Sequence, residues 1–562
     1  MKFKLSTAVA ITITIVVATS ATFSDAQLAV DATPAMNGDN DKQKKVCNSH
    51  SEKCKTAIKE KDTNKYKFCN RFIEVGCSEI KKIPKIPIDQ CVAVVDDSLL
   101  PIHKELCVIG GGAAGSYTAY EAQQRGYETV LLEPKQELGG NCEIIAVRST
   151  IDPSVTYNVN AAVILYDPTT TVKAFFSDLN VPTSSFQQEQ GGKFVYGIPT
   201  NQVPTGVIPA PPIDPQVFGA AVAAYNTAFY QVYNFVDPFL PVPDFSKYTT
   251  EQSDALFETF GVFLSKNPGI KPLVPVLSAF VQGYGFIETL PMWEIVIGVP
   301  PRFVNQLLAS TWLVLPSGCQ ELYNEVEDRM IQVDAKSVVL NTNVDLIKEM
   351  KNGKVSLTTV DTTTQEKNKY ECDNAVIAFR PDGLNKETLK SITKEETQFF
   401  GDFKYNGYVT TIWKMELGPA LIQMGANLNT KLSFTNATTV DVGIVSLEKS
   451  RAFVDYPWRC FYQPAKPADT AQKLEQVHDD IVAELTKIGF INIQNIFMKN
   501  HKYGLRPKSK KSLKKWVSFF EEKNSNDNSP LYWTGAVEAG DASSYVWEYS
   551  KHLLDNRFPA KE

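Results

Sequence analysis

Three glycines near residue 110 have a spacing that can hold an anion. Gly110, Gly112 and Gly115 occur as G-x-G-x-x-G in the stretch CVIGGGAAG, directly after a short apolar run. In such a motif the first glycine permits a tight strand-to-helix turn, the second lets the backbone approach a pyrophosphate, and the third allows close helix packing. The amides at the start of the following helix, which include that of Ala114, favour an anion there. This chemistry is dinucleotide binding.

An acidic residue at the end of the next apolar segment supports the same interpretation. Glu133 closes the segment YETVLLE, 18 residues after Gly115. A carboxylate at that position accepts hydrogen bonds from both ribose hydroxyls and disfavours a 2′-phosphate. A glycine fingerprint alone is a weak signal, and it becomes specific when strand, helix and acidic residue follow in this order. We therefore predict a dinucleotide site at these residues.

The strands and helices that must position these residues can be identified from amino-acid composition and hydrophobic periodicity. ELCVIGGG has the composition of a buried strand, AAGSYTAYEAQQRG that of a helix ending at Gly126, and YETVLLE that of a second buried strand. Together they predict one β-α-β unit. A similar texture returns far along the chain, in the helical SGCQELYNEVEDRM and the strand-like KSVVLNTNVDLIKEM, KVSLTTVDTTT and YECDNAVIAFRP. The predicted nucleotide-binding layers are therefore split by insertions.

Four further fragments follow in an order that is typical of flavin binding. The ribose glutamate is followed by a glycine pair, as Glu133-x₅-Gly139-Gly140. The fragment SGCQEL comes before LNTNV, which contains Val344, and the fragment LYWTG ends in Gly535 just before a final helix. Each fragment places glycine or a strand where a cofactor backbone would pass close to the chain.

These fragments resemble the FAD-dependent amine oxidase-like superfamily, the monoamine oxidase-type flavoproteins. In that family the glycine pair lets the chain pass close to the cofactor, the valine backbone contacts adenine, and the helix after the last glycine points toward the flavin. The resemblance spans residues 104–558 and implies FAD as the cofactor. The residues it implies for cofactor binding are Gly110, Gly112, Ala114, Gly115, Glu133, Gly139, Gly140, Val344 and Gly535.

Within the superfamily, the early fragment GGNCEIIAVRST and the ending YWTGAVEAGDASSYVWEYSKHLL look most like the secreted beta-cyclopiazonate dehydrogenase-like flavoproteins. Two positions depart from the pattern of many relatives. Asn141 stands where they have Arg or His after the glycine pair, and Ala536 stands where they have Glu after the last glycine. We expect Glu538 or Asp541 to supply the missing carboxylate.

The resulting fold class is α/β, with a discontinuous Rossmann-type FAD-binding domain, a mixed α+β substrate domain and a small N-terminal cysteine-rich module. The long middle region is rich in aromatic residues and prolines, which is typical of a helical cap over a site. The expected segments are a signal peptide 1–26, a disordered linker 27–46, a cysteine-rich module 47–100, a first FAD-binding segment 104–160, a helical substrate or cap region 161–316, a second FAD-binding segment 317–385, a substrate domain 386–515 and a third FAD-binding segment 516–562.

The N-terminus predicts a compartment. Lys2 and Lys4 precede the apolar run LSTAVAITITIVVA, and small residues follow, with Ala21 and Ala26 as cleavage positions. An uncleaved membrane anchor is the alternative. Five cysteines then fall within 45 residues of a polar segment, which indicates a disulfide-stapled module, since their spacings contain no C-x₂-C pair for zinc. We expect a secreted protein or one in the endomembrane lumen, with no membrane span in the mature chain.

Charge and composition exclude some partners. The formal net charge is -6, with 43% hydrophobic and 21% charged residues, so nucleic acid is not an expected partner. One basic run, KYGLRPKSKKSLKKW, is interpreted as a solvated loop before the last strand. The five histidines form no metal-binding pattern.

Catalytic residues cannot be assigned from spacing, because a flavin needs from the protein mainly orientation, tuning and exclusion of water. Lys404 and Lys414 are candidates for the water-holding lysine of amine oxidases. Cys142 is interpreted as a buried spectator thiol. Aromatic residues in the segments expected near the flavin ring are more typical of core than of catalysis, and they are Tyr408, Trp413, Trp458, Tyr503 and Trp533.

The leading functional hypothesis is an FAD-dependent oxidoreductase. It would remove hydride from a C–H bond of a small amine or an apolar, unsaturated substrate and pass the electrons to molecular oxygen. One alternative is an FAD-dependent isomerase that moves a double bond in a lipid-like substrate, which the abundance of apolar residues from 194 to 315 would suit. Another is a non-catalytic, flavin-stabilised binding protein.

Overall fold

The computed structural model describes residues 101–161, 165–186, 192–196, 207–209, 214–237, 242–281, 283–426, 432–436, 443–449, 455–466 and 470–562. All of them belong to one compact unit, Asp97–Glu562. The expected signal peptide, linker and cysteine-rich module lie outside the described residues.

Strands in the described ranges form two large sheets and two small ones. In chain order they are β1 (Ile102–Ile109), β2 (Thr129–Leu132), β3 (Ile144–Arg148), β4 (Thr156–Asn160), β5 (Ser184–Ser185), β6 (Gly192–Tyr196), β7 (Ile208–Pro209), β8 (Leu313–Val314), β9 (Val338–Val339), β10 (Thr342–Glu349), β11 (Val355–Asp361), β12 (Lys367–Ile377), β13 (Phe403–Leu417), β14 (Leu432–Asn436), β15 (Gly443–Glu448), β16 (Trp458–Gln463), β17 (Phe490–Pro507) and β18 (Leu531–Trp533).

Helices cover the sheets and fill the middle region. The α-helices of the described ranges are α1 (Ala113–Gln124), α2 (Thr170–Asp178), α3 (Pro215–Tyr233), α4 (Thr250–Phe257), α5 (Phe260–Lys266), α6 (Val274–Phe280), α7 (Met292–Gly298), α8 (Pro301–Leu308), α9 (Cys319–Val333), α10 (Lys394–Gly401), α11 (Pro419–Gln423), α12 (Ala471–Ile488), α13 (Lys510–Ser525), α14 (Ala536–Ala539) and α15 (Ser543–Arg557). The same ranges also contain the short 3₁₀ helices Pro268–Leu273, Ile287–Thr289 and Pro381–Gly383.

The first large sheet confirms the predicted Rossmann-type fold. Strands β9, β2, β1, β12 and β18 pair in parallel in that order, and β10 and β11 add to β12 as an antiparallel meander. The predicted β-α-β unit is β1, α1 and β2. Strand β2 and the second half of β1, Leu106 to Ile109, are buried, which explains their continuous apolar sequences, since parallel strands are covered on both faces. The binding layers come from distant regions of the chain, as predicted.

The second large sheet belongs to the region expected to hold the substrate. Its strand order is β17-β13-β16-β15-β14-β6-β7, antiparallel except for the pair β14 and β6. The longest pairing joins β13 to β17 from Phe403↔Pro507 to Leu417↔Phe490, with register shifts along the way. Such shifts re-aim side chains and bend the strands. The helices α3 to α8 form the predicted helical region between the two stretches of chain that build the first sheet.

The basic run KYGLRPKSKKSLKKW is not a loop, and that interpretation was wrong. Its first residues end β17 and its lysines begin α13, where Ser509 accepts a hydrogen bond from the Ser512 amide as an N-cap. Arg506 lies at the junction with its side chain only 2% exposed. The run spans two environments, because the end of β17 from Gly504 to Pro507 is buried while the lysines that the run contributes to α13 are exposed.

Two disulfides join elements of the first sheet and its helices. Cys107 of β1 is bonded to Cys372 of β12, and Cys142 is bonded to Cys319 at the start of α9. The interpretation of Cys142 as a spectator thiol was therefore wrong. Its partner is 177 residues away in the sequence, so no local pattern connects the two. In the described ranges, no helix is long and apolar enough to cross a membrane.

Candidate functional site

The glycine fingerprint forms a tight turn between β1 and α1. Gly110 has φ +103°, a conformation that favours glycine, and its amide donates to the Leu132 carbonyl at 2.8 Å. A Cβ atom on Gly115 would lie 1.8 Å from the Gly110 carbonyl oxygen. Strand and helix can therefore approach this closely only with glycine at position 115, which is the role predicted for it.

The glycine pair lies directly against the fingerprint. Gly140 has φ +62°, and a Cβ atom on it would be 2.8 Å from the Gly112 Cα. The Gly139 amide donates to the Gly111 carbonyl at 2.8 Å. Two backbone segments thus meet without side chains between them, which makes a cradle that an elongated ligand can enter and that a Cβ would narrow.

Glu133 lies beneath the same turn. Its side chain is buried and accepts hydrogen bonds from the Gly111 amide at 2.6 Å and from the Lys135 amide at 3.0 Å. The Glu133 carbonyl accepts from the Thr342 amide at the start of β10, the strand that carries half-buried Val344. The ribose carboxylate and the adenine strand of the prediction are therefore neighbours.

Gly535, in the last predicted cofactor segment, lies close to the first cofactor segment. It has φ +142° between β18 and α14, and a Cβ atom on it would lie 4.0 Å from the Ala114 Cβ and 3.5 Å from Glu538 Oε2. All nine residues predicted to bind the cofactor thus lie on segments that converge around the N-terminus of α1. Backbone amides, close glycines and a buried carboxylate are the donors and shape that a dinucleotide requires, so the site fits FAD.

Glu538 and Asp541, the two residues expected to replace the carboxylate that is absent at Ala536, have different surroundings. Asp541 Oδ2 accepts from the Tyr284 hydroxyl at 2.8 Å and contacts Arg506 Nη2 at 3.3 Å. Asp541 is therefore engaged by protein groups. Glu538 is the carboxylate that lies beside Gly535. Asn141, the other departure, is exposed.

An aromatic cluster lies next to Asp541 on one face of the second sheet. The rings of Tyr284 and Tyr503 are 5.1 Å apart, those of Tyr408 and Tyr503 are 5.4 Å apart, and Tyr408 stacks on Phe461 at 5.7 Å. Burial raises the pKa of each tyrosine, so the phenols stay protonated at neutral pH. The cluster offers flat apolar surfaces and hydroxyl donors. It offers no phenolate base.

Polar residues continue along the same two strands toward the glycine pair. His501 Nε2 lies 2.9 Å from Thr410 Oγ1, and burial together with the charges of Lys499 and Lys135 lowers the pKa of His501 to about 4. Lys499 forms an ion pair with Glu143, and Lys135 Nζ donates to the Gly140 carbonyl at 2.6 Å. The sheet face thus reaches the cradle through a row of polar side chains in which the histidine is neutral.

Several candidates from the sequence lie away from this face. Lys404 is exposed and donates to the Gly401 carbonyl, and Lys414 donates to the Arg148 carbonyl. Neither of these carbonyl partners belongs to the cradle. The tryptophans considered near the flavin belong to apolar cores, and they are Trp413, Trp458 and Trp533.

Sequence reasoning missed Tyr284, Phe461 and Arg506. Arg506 lies 4.1 Å above the Tyr284 ring and beside Trp293 at 5.6 Å. Tyr284 comes from the cap region and Phe461 from β16, so strand pairing between distant segments is what brings them together. One usable signal was the single arginine inside the otherwise lysine-rich run, since a buried planar cation is more often arginine than lysine.

Comparisons with known proteins bear on the fold and on the cofactor. Residues 108–179 match the family model described as NAD(P)-binding Rossmann-like domain. The chain is 23% identical over 468 residues to the FAD-dependent oxidoreductase dpchF of Colletotrichum higginsianum, which covers 80% of this chain and 92% of the relative. It is 24% identical over 309 residues to the FAD-dependent oxidoreductase oblC of Cochliobolus heterostrophus, covering 55% of this chain and 60% of the relative.

Solved structures share the fold. A conjugated-linoleic-acid-producing (CLA-producing) fatty acid isomerase from P. acnes superposes with a TM-score of 0.62 at 14% identity, over 81% of this chain and 99% of that chain. Wild-type putrescine oxidase bound to putrescine has a TM-score of 0.55 at 10% identity, and cyclohexylamine oxidase from Brevibacterium oxydans has 0.51 at 13%, both over 81% of this chain and 99% of theirs.

These relatives confirm the predictions of an enzyme and of FAD as cofactor, and the non-catalytic alternative is set aside. The resemblance seen in the glycine pair and in LYWTG is confirmed as well. The chain is similar in sequence to FAD-dependent oxidoreductases and in fold to amine oxidases, which supports its resemblance to the FAD-dependent amine oxidase-like superfamily.

Proposed function

We propose that this oxidoreductase removes hydride from a C–H bond of a small amine or of an apolar, unsaturated substrate and passes the electrons to molecular oxygen. The observation that carries the proposal is the aromatic cluster of Tyr284, Tyr408, Phe461 and Tyr503. It lies between the helical region and the second sheet, and Tyr284 is bonded to Asp541, six residues after Gly535. A flat apolar substrate would therefore be held beside the last cofactor segment.

The chain's own role in such a reaction is to bind, orient and exclude water. When bound, FAD supplies the hydride acceptor. Tyr408 and Tyr503 are half-buried on neighbouring strands, so their ring faces can contact a ligand. His501 is neutral near pH 7 because its pKa is about 4, and its contact with Thr410 fixes the orientation of the ring. A neutral imidazole in this position can accept a proton that a substrate N–H releases.

The test is an anaerobic screen. The purified holoprotein is mixed without oxygen with amines and, separately, with polyunsaturated fatty acids, and the visible flavin absorption is followed. A substrate of the proposed class bleaches the flavin, and admitting oxygen restores the colour with formation of hydrogen peroxide. If neither class bleaches the flavin while dithionite does, the proposed substrates are wrong.

Isomerisation of a double bond is the second candidate. It is favoured by the flat apolar ring faces of the aromatic cluster and by the likeness in fold to a solved fatty acid isomerase. An isomerase returns the hydride that it removed, so turnover forms a shifted double bond without hydrogen peroxide. Measuring peroxide and the product of each fatty acid in the same reaction separates the two outcomes.

We also propose that the protein is secreted or lies in the endomembrane lumen. Lys2, Lys4 and the apolar run that follows support this, and so do the two disulfides, because disulfides persist in oxidising compartments. Expression of the full chain in a eukaryotic secretory host tests it. The expected mature N-terminus follows Ala21 or Ala26, and recovery of the intact chain from the cytosol would contradict the proposal.

A further inference from the structure

Glu538 is a buried carboxyl group with an unsatisfied oxygen. Its side chain belongs to a residue only 7% exposed, and Oε2 has no hydrogen-bond partner among the described residues. Buried polar atoms in folded proteins are nearly always hydrogen-bonded, so an atom left without a partner calls for a ligand or another explanation. A Cβ atom on Gly535 would lie 3.5 Å from Oε2, so the atom lies beside the last of the predicted cofactor segments.

Oε2 also lies near the first turn of α1. A Cβ atom on Gly535 would lie 3.5 Å from Oε2 and 4.0 Å from the Ala114 Cβ, so the carboxyl group and the first turn of α1 are both close to Gly535. Ala114 belongs to the helix N-terminus that receives the diphosphate of a dinucleotide. The orphan oxygen is therefore a short distance from the predicted diphosphate position.

The surroundings of this carboxyl group favour its neutral form. Ala114, Ala539, Tyr545 and Tyr549 form an apolar cluster around α14. Burial raises the pKa of Glu538 well above its ordinary value, and a hydrogen bond from its own backbone amide opposes the rise only in part. Tyr549 is a titratable group that faces it, and burial raises the pKa of that phenol too, with smaller effects from Glu521 and Glu538.

We propose that Glu538 binds the cofactor as a carboxylic acid, donating a hydrogen bond from its carboxyl group to the diphosphate of FAD. A carboxylate could not do this, because it has no proton to donate and its charge would repel the phosphates. A protonated carboxyl group has one O–H donor, and hydrogen bonds to an ionised acceptor are among the stronger ones. The diphosphate charges disfavour ionisation of Glu538 further, so the bound state holds the proton more tightly.

This role differs from a simple replacement of the glutamate that many relatives carry after the last glycine. Ala536 occupies that position here, and Glu538 reaches the cradle from two residues further on. The inference rests on FAD binding alone. It holds whether the substrate is an amine, a fatty acid or neither.

The test compares two substitutions of nearly the same size in the full chain. Glu538→Gln keeps an N–H donor, and Glu538→Met removes every donor while filling the space. FAD is removed from each protein, and the Kd for added FAD and for ADP, which carries the diphosphate without the flavin, is measured by calorimetry. Glu294→Met is the matched control, because Glu294 is also buried, has an unpartnered Oε2 in the described region of the chain and has a raised pKa, yet lies beside Arg506.

The expected result is that Glu538→Gln binds FAD within about threefold of wild type, while Glu538→Met binds both FAD and ADP at least about tenfold more weakly. Glu294→Met is expected to bind like wild type. Wild-type affinity falls as the pH rises past the pKa of Glu538 in the free protein, because ionisation removes the donor, and Glu538→Gln does not follow this fall.

Two results would overturn the proposal. If Glu538→Gln is as weak as Glu538→Met, and wild-type affinity falls toward low pH, the group acts as an ionised acceptor. If Glu538→Met binds FAD and ADP like wild type, the carboxyl group does not contact the cofactor. Thermal unfolding of each free protein identifies any variant that fails to fold, and in that case Glu538→Gln and the pH series still decide.

Discussion

At the scale of single residues, the cradle depends on glycines, because they have no Cβ atom and let two backbone segments approach closely. Gly112 and Gly140 meet backbone to backbone, and a methyl group on Gly140 would lie too close to the Gly112 Cα, at 2.8 Å. The sequence pointed to these glycines because the motifs that contain them have a fixed spacing. His501 and Arg506 had no such signature, since their roles come from burial that spacing does not encode.

Gly140→Ala tests the cradle directly. The added Cβ would lie 2.8 Å from the Gly112 Cα, and φ +62° is unfavourable for alanine, so we expect at least about a tenfold loss of FAD affinity. Gly353→Ala is the matched control. Gly353 also has a positive φ, +77°, but no heavy atom within 4 Å of the new Cβ, so it should lose some stability and keep its affinity for FAD. Calorimetric titration of the FAD-free proteins measures both.

The buried histidine predicts how stability depends on pH. The pKa of His501 is about 4 in the folded protein and 6.5 as its ordinary value, so the unfolded chain binds the proton more readily. Its contribution is present above pH 6.5 and is lost as the pH falls toward 4, by about 3 kcal/mol in all. His501→Gln should flatten this region of the profile in urea unfolding. Exposed His552→Gln should not, and an unchanged slope in His501→Gln would contradict the assignment.

At the scale of elements, local sequence patterns were sufficient to predict strands of the first sheet and insufficient to predict the pairing in the second. Strand β1, helix α1 and strand β2 are contiguous in the chain, so periodicity and glycines predicted them together. The pairing of β13 with β17 joins residues about ninety positions apart and contains register shifts, which no local signal specifies. The aromatic cluster depends on that pairing, so only some of its members could be named.

The Cys142–Cys319 disulfide connects the glycine-pair loop to the start of α9. Replacing both cysteines by alanine should lower the free energy of unfolding by about 2–5 kcal/mol and weaken FAD binding, because the loop is then free to move away from Gly112. The Cys107–Cys372 pair, which joins β1 to β12, is the comparison. Its removal should cost similar stability with a smaller effect on FAD affinity. Equal loss of affinity in both variants would show that the first disulfide has no special role at the cradle.

At the scale of the whole molecule, the two large sheets have different roles. The parallel sheet and α1 form the cradle, and the antiparallel sheet presents aromatic and polar side chains to it. They meet through Lys135, Glu143 and Lys499 at one end and through Tyr284, Arg506 and Asp541 at the other. The order of the cofactor segments in the chain predicted the cradle. The substrate could not be predicted in this way, because it would be bound by side chains of the antiparallel sheet that come together through contacts between distant segments.

Whether the cradle holds FAD is decided by the visible absorption spectrum of the purified full-length protein. We expect the two absorption bands of oxidised flavin, with FAD released in a one-to-one ratio to the chain on denaturation. We also expect that Gly140→Ala, purified in the same way, carries less flavin. A folded wild-type protein that is colourless and does not take up added FAD would show that the cradle is not an FAD site.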